Sequence, residues 1–249
     1  MPKTRHWVAI PLALFAAAVA LGLFAVHTTA LTAHDLQLDR NIQTTFRSSS
    51  LNTVMLDLAD VFSPVAGLVM LAVISGVLLY LRKPVQAAST FLVVAVGWNS
   101  SEIAKIIVAR HRPPVQFSLA PETGSNSFPS GHVALAVSLA MAMFFLARGT
   151  RWELPVAIAG GAWTLLIAFD RLYIGAHYPT DVFGSIIVSI AAVYFLTGLW
   201  HGWIEARLYK VPLLDRFGTL PTPTPTGDGA ARPGAATDAR NNSTVSDRY

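Results

Sequence analysis

Three histidines, four cations and a carboxylate stand in three short polar clusters of an otherwise apolar chain, and two of the histidines, three of the cations and the carboxylate could meet on one group. The first cluster runs from Lys105 through Arg110, His111 and Arg112 to Pro113. The second is Pro129-Ser130-Gly131-His132, and the third runs from Arg171 through His177 to Asp181. Together these side chains suit one phosphoryl group. Arginine offers a planar fork to two phosphate oxygens, and lysine offers a compact charge. Lys105, Arg112 and Arg171 can therefore offset a phosphate carrying about two negative charges at neutral pH. An imidazole can attack phosphorus or hand a proton to the departing oxygen. Charge beside membrane spans is expensive, so its presence there asks for a function.

Lys105 and Arg112 lie seven residues apart, or two helical turns, and share a face if the helix runs up to Pro113-Pro114, which forbids its continuation. Ser130 suits an N-cap, Gly131 lets another group approach the backbone closely, and His132 falls in the first turn of a helix whose N-terminus attracts anions. In the third cluster Arg171 would clamp phosphate and His177 would attack it. Asp181 would accept Nδ1–H of His177 if the segment is helical, leaving Nε2 bare. Pro179 suits a helix start better than an interior, which leaves open a meeting across the first turn. Blander readings exist for each cluster: anchors snorkelling to lipid phosphates, a capped helix with an incidental histidine, and a wet interfacial loop. Glu122, Asp170 and Asp181 stand near the motifs but form no cluster in the sequence, so neither a metal cage nor a cofactor is expected.

The elements that must position these groups are membrane helices. Of 249 residues, 53% are hydrophobic and 13% charged, against about a quarter charged in soluble domains. Apolar runs of about bilayer-spanning length predict an all-α, polytopic bundle of six transmembrane helices, at 7–26, 64–81, 85–108, 132–147, 154–169 and 182–200. The first run is long for a signal peptide and is read as an uncleaved span. The net charge of +4 is distributed along the loops and does not point to nucleic acid, and without cysteine there is no disulfide or thiolate site.

Six spans put Lys3, Arg5, Arg82, Lys83, Arg148, Arg151, Arg207, Lys210 and Arg216 on one side, which the positive-inside rule makes cytoplasmic together with both termini. All three clusters then fall on the extracytoplasmic face. In the outer segment 27–63, Leu51, Val54, Met55, Leu58 and Phe62 recur at helical spacing. This describes an amphipathic helix lying either on the outer leaflet or against the bundle. The division is a six-span membrane domain over 1–211 and a disordered cytoplasmic tail over 212–249, rich in Pro, Thr, Gly and Ala.

In this order, Lys-x6-Arg-Pro, Pro-Ser-Gly-His and Arg-x5-His-x3-Asp resemble the tripartite motif of the type 2 phosphatidic acid phosphatase superfamily. The resemblance covers 105–181 directly and, through the six-span plan, about 7–200. It implies a helical-bundle lipid phosphatase that works without metal through a phosphohistidine. His177 would be the nucleophile, Asp181 its orienter and His132 the acid for the leaving oxygen. Lys105, Arg112, Ser130, Gly131 and Arg171 would bind phosphate. The implied partners are membrane lipids and a lipid phosphate or diphosphate substrate. A polyprenyl, undecaprenyl-type diphosphate in a bacterial cell membrane is the first expectation, and phosphatidate or phosphatidylglycerophosphate the alternative. A headgroup binder or transporter would need the cations but neither histidine, and the spans exclude the larger soluble haloperoxidases of the wider superfamily. The family pattern usually has Ser before the third-motif arginine. This chain has Asp170, which would either pair with Arg171 or repel a doubly charged substrate.

Overall fold

Proline opens three helices of this chain, at Pro64, Pro84 and Pro179. Its fixed φ and missing N–H suit the first helical position, where the amide has no partner in the helix. In the computed structural model, which describes residues 6–115, 118–208 and 211, the elements in order are α1 (Ala9–His27), α2 (Thr29–Phe46), α3 (Ser49–Val61), α4 (Pro64–Tyr80), α5 (Pro84–Val108), α6 (Gly131–Ala147), α7 (Glu153–Tyr173), α8 (Pro179–Leu199), a π-helical turn (Trp200–Ile204) and α9 (Glu205–Leu208). No strand occurs among the described residues. The tail expected to be disordered, 212–249, lies outside them.

Six apolar helices stand where spans are expected, but helix length does not establish six crossings. α1, α5, α7 and α8 with its π-helical extension are long and apolar enough to cross a membrane. α4 qualifies only together with α3, from which it is bent by 58°, and α6 has 17 residues. At about 1.5 Å per residue, such a helix falls short of a hydrocarbon core of about 30 Å. Four crossings, or five with the bent pair, is the supported number. On the outside of α4, Val65, Leu68, Val69, Val73 and Val77 are exposed, an apolar stripe suited to lipid rather than water.

The short helix α6 is the centre of the bundle. It packs against α5, α7 and α8, and every residue from Val133 to Leu139 is buried. That explains why it is apolar all round. Small residues bring its neighbours close. Ser189 of α8 donates to the carbonyls of Gly97 on α5 (3.3 Å) and Ala134 on α6 (3.4 Å). A methyl on Gly160 of α7 would lie 2.9 Å from Cβ of Ala140. Such contacts let membrane helices approach without a polar penalty. At one end of the bundle the Phe128 ring is fully buried. It sits between Gly22 of α1, where a Cβ would come within 2.7 Å of it, and Gly184 of α8, where a Cβ would also collide. The ring thus fixes the start of the loop that carries Ser130, Gly131 and His132.

The outer segment forms two helices. α3 takes the bundle-packing alternative: Met55 is buried in a cluster with Tyr173, Ile174 and Ala176 at the end of α7, and the Phe62 ring meets Trp163 at a tilt of 53°, with centroids 5.1 Å apart. α2 has the opposite pattern from an ordinary surface helix, because its buried residues are Asp35, Asp39 and Gln43.

Candidate active site

Four helix ends converge at the site: the C-termini of α5 and α7 and the N-termini of α6 and α8. The end of α5 differs from the sequence expectation. The helix stops at Val108, with Ala109 in a left-handed conformation (φ 48°) and its N–H bonded to the Lys105 carbonyl at 2.9 Å. Arg112 therefore stands four residues beyond the helix and shares no helical face with Lys105. The turn at Ala109 breaks the spacing argument before the prolines can. Both side chains nevertheless line one cavity of about 840 Å³, together with Gly131, His132, Arg171 and His177.

Each cation in the cavity has a carboxylate partner. Lys105 Nζ lies 2.6 Å from Glu102 Oε1, and Arg112 Nη2 lies 2.8 Å from Glu122 Oε2. Arg171 turns two groups, Nε at 2.8 Å and Nη2, to Asp170 Oδ2. Asp170 thus pairs with the arginine, and its Oδ1 has no hydrogen-bond partner among the described residues. Glu102 and Glu122 are exposed, whereas Asp170 is wholly buried. The two exposed pairs are weak and exchange partners readily, whereas the buried pair is costly to break.

His177 precedes α8 and is 1% exposed. Its Nδ1 lies 2.8 Å from the Ser127 carbonyl oxygen. A carbonyl only accepts, so Nδ1 carries the proton and Nε2 is bare. Nε2 faces Arg112 Nη1 at 3.3 Å, a group that can only donate, which agrees with that tautomer. Asp181 is not the nearest acceptor. Its Oδ2 lies 3.6 Å from Nδ1, because three donors already hold the carboxylate: Arg110 Nη1 on Oδ1 at 2.7 Å, and Ser127 Oγ at 2.6 Å and the Tyr178 amide at 2.9 Å on Oδ2. Asp181 therefore acts on the imidazole through charge more than through a direct bond. Burial, opposed by Asp181 and reinforced by Arg112 and Arg171, lowers the His177 pKa and keeps the ring neutral.

The Pro129-Ser130-Gly131-His132 loop starts α6. Ser130 occupies the N-cap position without capping, and its buried hydroxyl has no hydrogen-bond partner among the described residues. At Gly131 a Cβ would stand 3.2 Å from Lys105 Nζ, so the lysine head group lies close against the helix start. Among the described residues, no three His, Cys, Asp or Glu side chains converge on a point that could hold a metal ion.

Behind the cavity lies a layer that sequence reasoning missed. Arg110, 3% exposed, reaches Asp181 (2.7 Å) and Thr180 (2.5 Å) with Nη1 and Asp35 of α2 (2.9 Å) with Nη2. Its guanidinium covers the Tyr178 ring at 4.0 Å. Asp39, one turn beyond Asp35, is buried with no hydrogen-bond partner for either oxygen among the described residues. Burial and the like charges of Asp181 and Asp35, against the pull of Arg110, raise its pKa to about 8.

Residues 84–205 match the family model described as the PAP2 superfamily. The chain is 41% identical over 73 residues to undecaprenyl-diphosphatase BcrC of Bacillus subtilis, a stretch that is 29% of this chain and 35% of that protein. It is 25% identical over 179 residues to phosphatidylglycerophosphatase B of the same organism, 70% of this chain and 87% of the relative. A third relative, undecaprenyl-diphosphatase of Sulfolobus acidocaldarius, is 24% identical over 43% of this chain and 47% of its own length. The chain thus spans about a third and about half of the two undecaprenyl-diphosphatases it matches. Among solved structures, it resembles the PAP2-type phosphatidylglycerolphosphate phosphatase of B. subtilis (TM-score 0.64, 26% identity, 79% of this chain and 96% of that one). It also resembles Aquifex aeolicus LpxE (TM-score 0.52, 25% identity, 65% and 93%).

The raised Asp39 pKa makes a prediction of definite sign. Between its ordinary value near 3.8 and about 8, the folded chain holds a proton that the unfolded chain has released, so Asp39 subtracts stability increasingly as pH rises through that window. Asp39→Asn should melt above the parent in detergent at pH 8, with the gain shrinking toward pH 5. A gain that is absent, or that grows as pH falls, contradicts a buried neutral carboxyl.

Proposed function

Because residues 84–205 match the PAP2 superfamily, we propose that this chain is a multi-pass membrane lipid phosphatase that hydrolyses a polyprenyl diphosphate to the monophosphate and inorganic phosphate. The reaction passes through a phosphohistidine at His177. The observation that carries this reading is the fixed tautomer of His177, whose bare Nε2 faces the Arg112 fork at 3.3 Å in a cavity that also receives Lys105, His132 and Arg171.

Substrate phosphate exchanges with the exposed Glu102 and Glu122 on Lys105 and Arg112, and takes Nη1 of Arg171 while Asp170 keeps Nε and Nη2. The Ser130 hydroxyl and the amides at the start of α6 complete the cradle. The Nε2 lone pair attacks phosphorus in line. A P–N bond forms as the P–O bond to the leaving group breaks, and His132, which takes up a proton once the bound phosphate offsets the charge of Lys105, Arg112 and Arg171 around it, gives that proton to the departing oxygen. Water then attacks phosphorus, His132 takes its proton, the P–N bond breaks and inorganic phosphate leaves. Asp181, held in place 3.6 Å from Nδ1, offsets the positive charge on the phosphorylated ring. Removing one such preorganised contact raises the barrier by about 3–4 kcal/mol.

The cavity supports a lipid substrate. Away from the phosphate groups it is lined by Phe62, Leu68, Leu71, Phe91 and Trp98, a surface for an apolar chain rather than a sugar or peptide. The high local identity to an undecaprenyl-diphosphatase supports the diphosphate. The longer likeness to phosphatidylglycerophosphatase B, over 70% of this chain, favours a second reading, a phospholipid monoester such as phosphatidylglycerophosphate or phosphatidate. The active site is assigned to the extracytoplasmic face of the cell membrane, since Arg82, Lys83, Arg148 and Arg151 lie at the opposite helix ends. Because the chain has no cysteine, Glu122→Cys and Thr150→Cys test the orientation. An impermeant thiol reagent on intact cells should label the first and spare the second, and the reverse pattern overturns the assignment.

The substrate is read from a panel of polyprenyl diphosphate, phosphatidate and phosphatidylglycerophosphate at equal mole fraction in detergent. The diphosphate should give the highest kcat/KM, and a phospholipid in first place selects the second reading. The leaving groups also differ. A phosphate leaves with a second pKa of about 6, whereas an alkoxide needs a proton to leave. His132→Ala should therefore cost the phospholipid monoesters at least about tenfold more in kcat than the diphosphate. Equal losses would remove His132 from leaving-group protonation.

A further inference from the structure

Residues 29–46 lie outside the stretch that matches the family, yet α2 turns its acidic face toward the nucleophile. Asp35 and Asp181 stand on different helices, and the Arg110 guanidinium bridges them, with Nη2 on Asp35 at 2.9 Å and Nη1 on Asp181 at 2.7 Å. Thr180 closes the bridge, accepting from Arg110 at 2.5 Å and donating to Asp35 at 2.5 Å. All three charged groups are at most 3% exposed, and neither Arg110 nor Asp35 lines the cavity. Neither can touch a bound phosphate there.

Arg110 grips the acceptor of the nucleophile from two directions. Its backbone carbonyl accepts from the Ser127 amide at 2.9 Å. Its side chain holds the Asp181 carboxylate, which in turn accepts from the Ser127 hydroxyl at 2.6 Å. Ser127 is the residue whose carbonyl takes the His177 Nδ1 proton at 2.8 Å. The chain of contacts therefore runs from Asp35 to Arg110, to Asp181 and Ser127, and on to the imidazole. The chain thus ends on both groups that face Nδ1, the Ser127 carbonyl by a hydrogen bond and the Asp181 carboxylate through its charge.

We infer that Asp35 and Arg110 are positioning residues for His177, so that α2 is a working part of the catalytic apparatus as well as a cover on the bundle. The inference rests on the phosphatase reading above. A helix outside the matched region fixes, through one arginine, the carboxylate and the carbonyl that hold the nucleophile. Loss of the bridge leaves the cations that bind phosphate in place and lets the imidazole wander, which slows the chemical step rather than substrate binding.

The test uses the full chain in detergent with polyprenyl diphosphate and the phospholipid monoesters, comparing Asp35→Asn, Arg110→Lys, Arg110→Gln and the Asp35→Asn/Arg110→Gln double variant. Thermal melts verify that each is folded at the assay temperature. Arg110→Gln should lower kcat by about 100-fold with KM within about threefold of the parent. Arg110→Lys should recover part of the loss, and Asp35→Asn should lower kcat by about tenfold. The double variant should be no slower than Arg110→Gln alone, because Asp35 acts through the arginine. If Arg110→Gln does not fold, Asp35→Asn and Arg110→Lys decide on the same kcat and KM criteria. Folded variants with parental kcat, losses confined to KM, or fully additive losses overturn the inference and leave the phosphatase reading standing. A parent chain that releases no phosphate from any of these lipids overturns both, and shows itself before any variant is made.

Discussion

The hydrogen bond from His177 Nδ1 to the Ser127 carbonyl, 2.8 Å long, is the contact on which the site depends. It decides which nitrogen carries the proton, and so which nitrogen keeps a free lone pair. Much of the surrounding structure keeps that bond in place. Phe128, wedged against α1 and α8, fixes the segment that carries the carbonyl. The first turn of α8, opened by Pro179 and tied by Asp181 back to the Tyr178 amide, fixes the histidine. Arg110 joins the two.

A second constraint is charge. Burying three cations near a membrane without counterions would be prohibitive, and here each is held by its own carboxylate. The two partners that are exposed belong to Lys105 and Arg112, the groups best placed to change partner when a phosphate arrives. The buried partner is Asp170. It turns Arg171 into a group with one face committed and one face available. The same logic holds behind the cavity, where a single arginine serves Asp35 and Asp181 while Asp39 keeps its proton.

The sequence makes the apolar helices and the cavity-lining residues legible, because apolar periodicity and motif spacing both record them. It conceals what depends on backbone or on polar burial. Nothing in Ala109 announces a left-handed residue, so the spacing predicts that α5 runs on to the prolines with Arg112 on the face of Lys105, whereas the helix ends at Val108. The acceptor of the His177 proton is a main-chain carbonyl, invisible to any reading of side chains, which is why Asp181 looks like the direct partner. α2 buries Asp35, Asp39 and Gln43 at four-residue spacing and therefore shows no apolar stripe. The same periodicity read in carboxylates instead of leucines would have found its buried face. Arg110, two residues from Arg112, reads as one more interfacial cation until its partners on α2 and α8 are in view.

The central claim is that His177 Nε2 takes the phosphoryl group. It is tested most directly by mixing the purified chain with polyprenyl diphosphate labelled in its terminal phosphate, quenching in alkali during turnover, and mapping the label by mass spectrometry. The account predicts an acid-labile, alkali-stable phosphate on the peptide containing His177, bound at Nε2. Label on His132 instead, or steady turnover with no phosphoenzyme at any quench time, would contradict it.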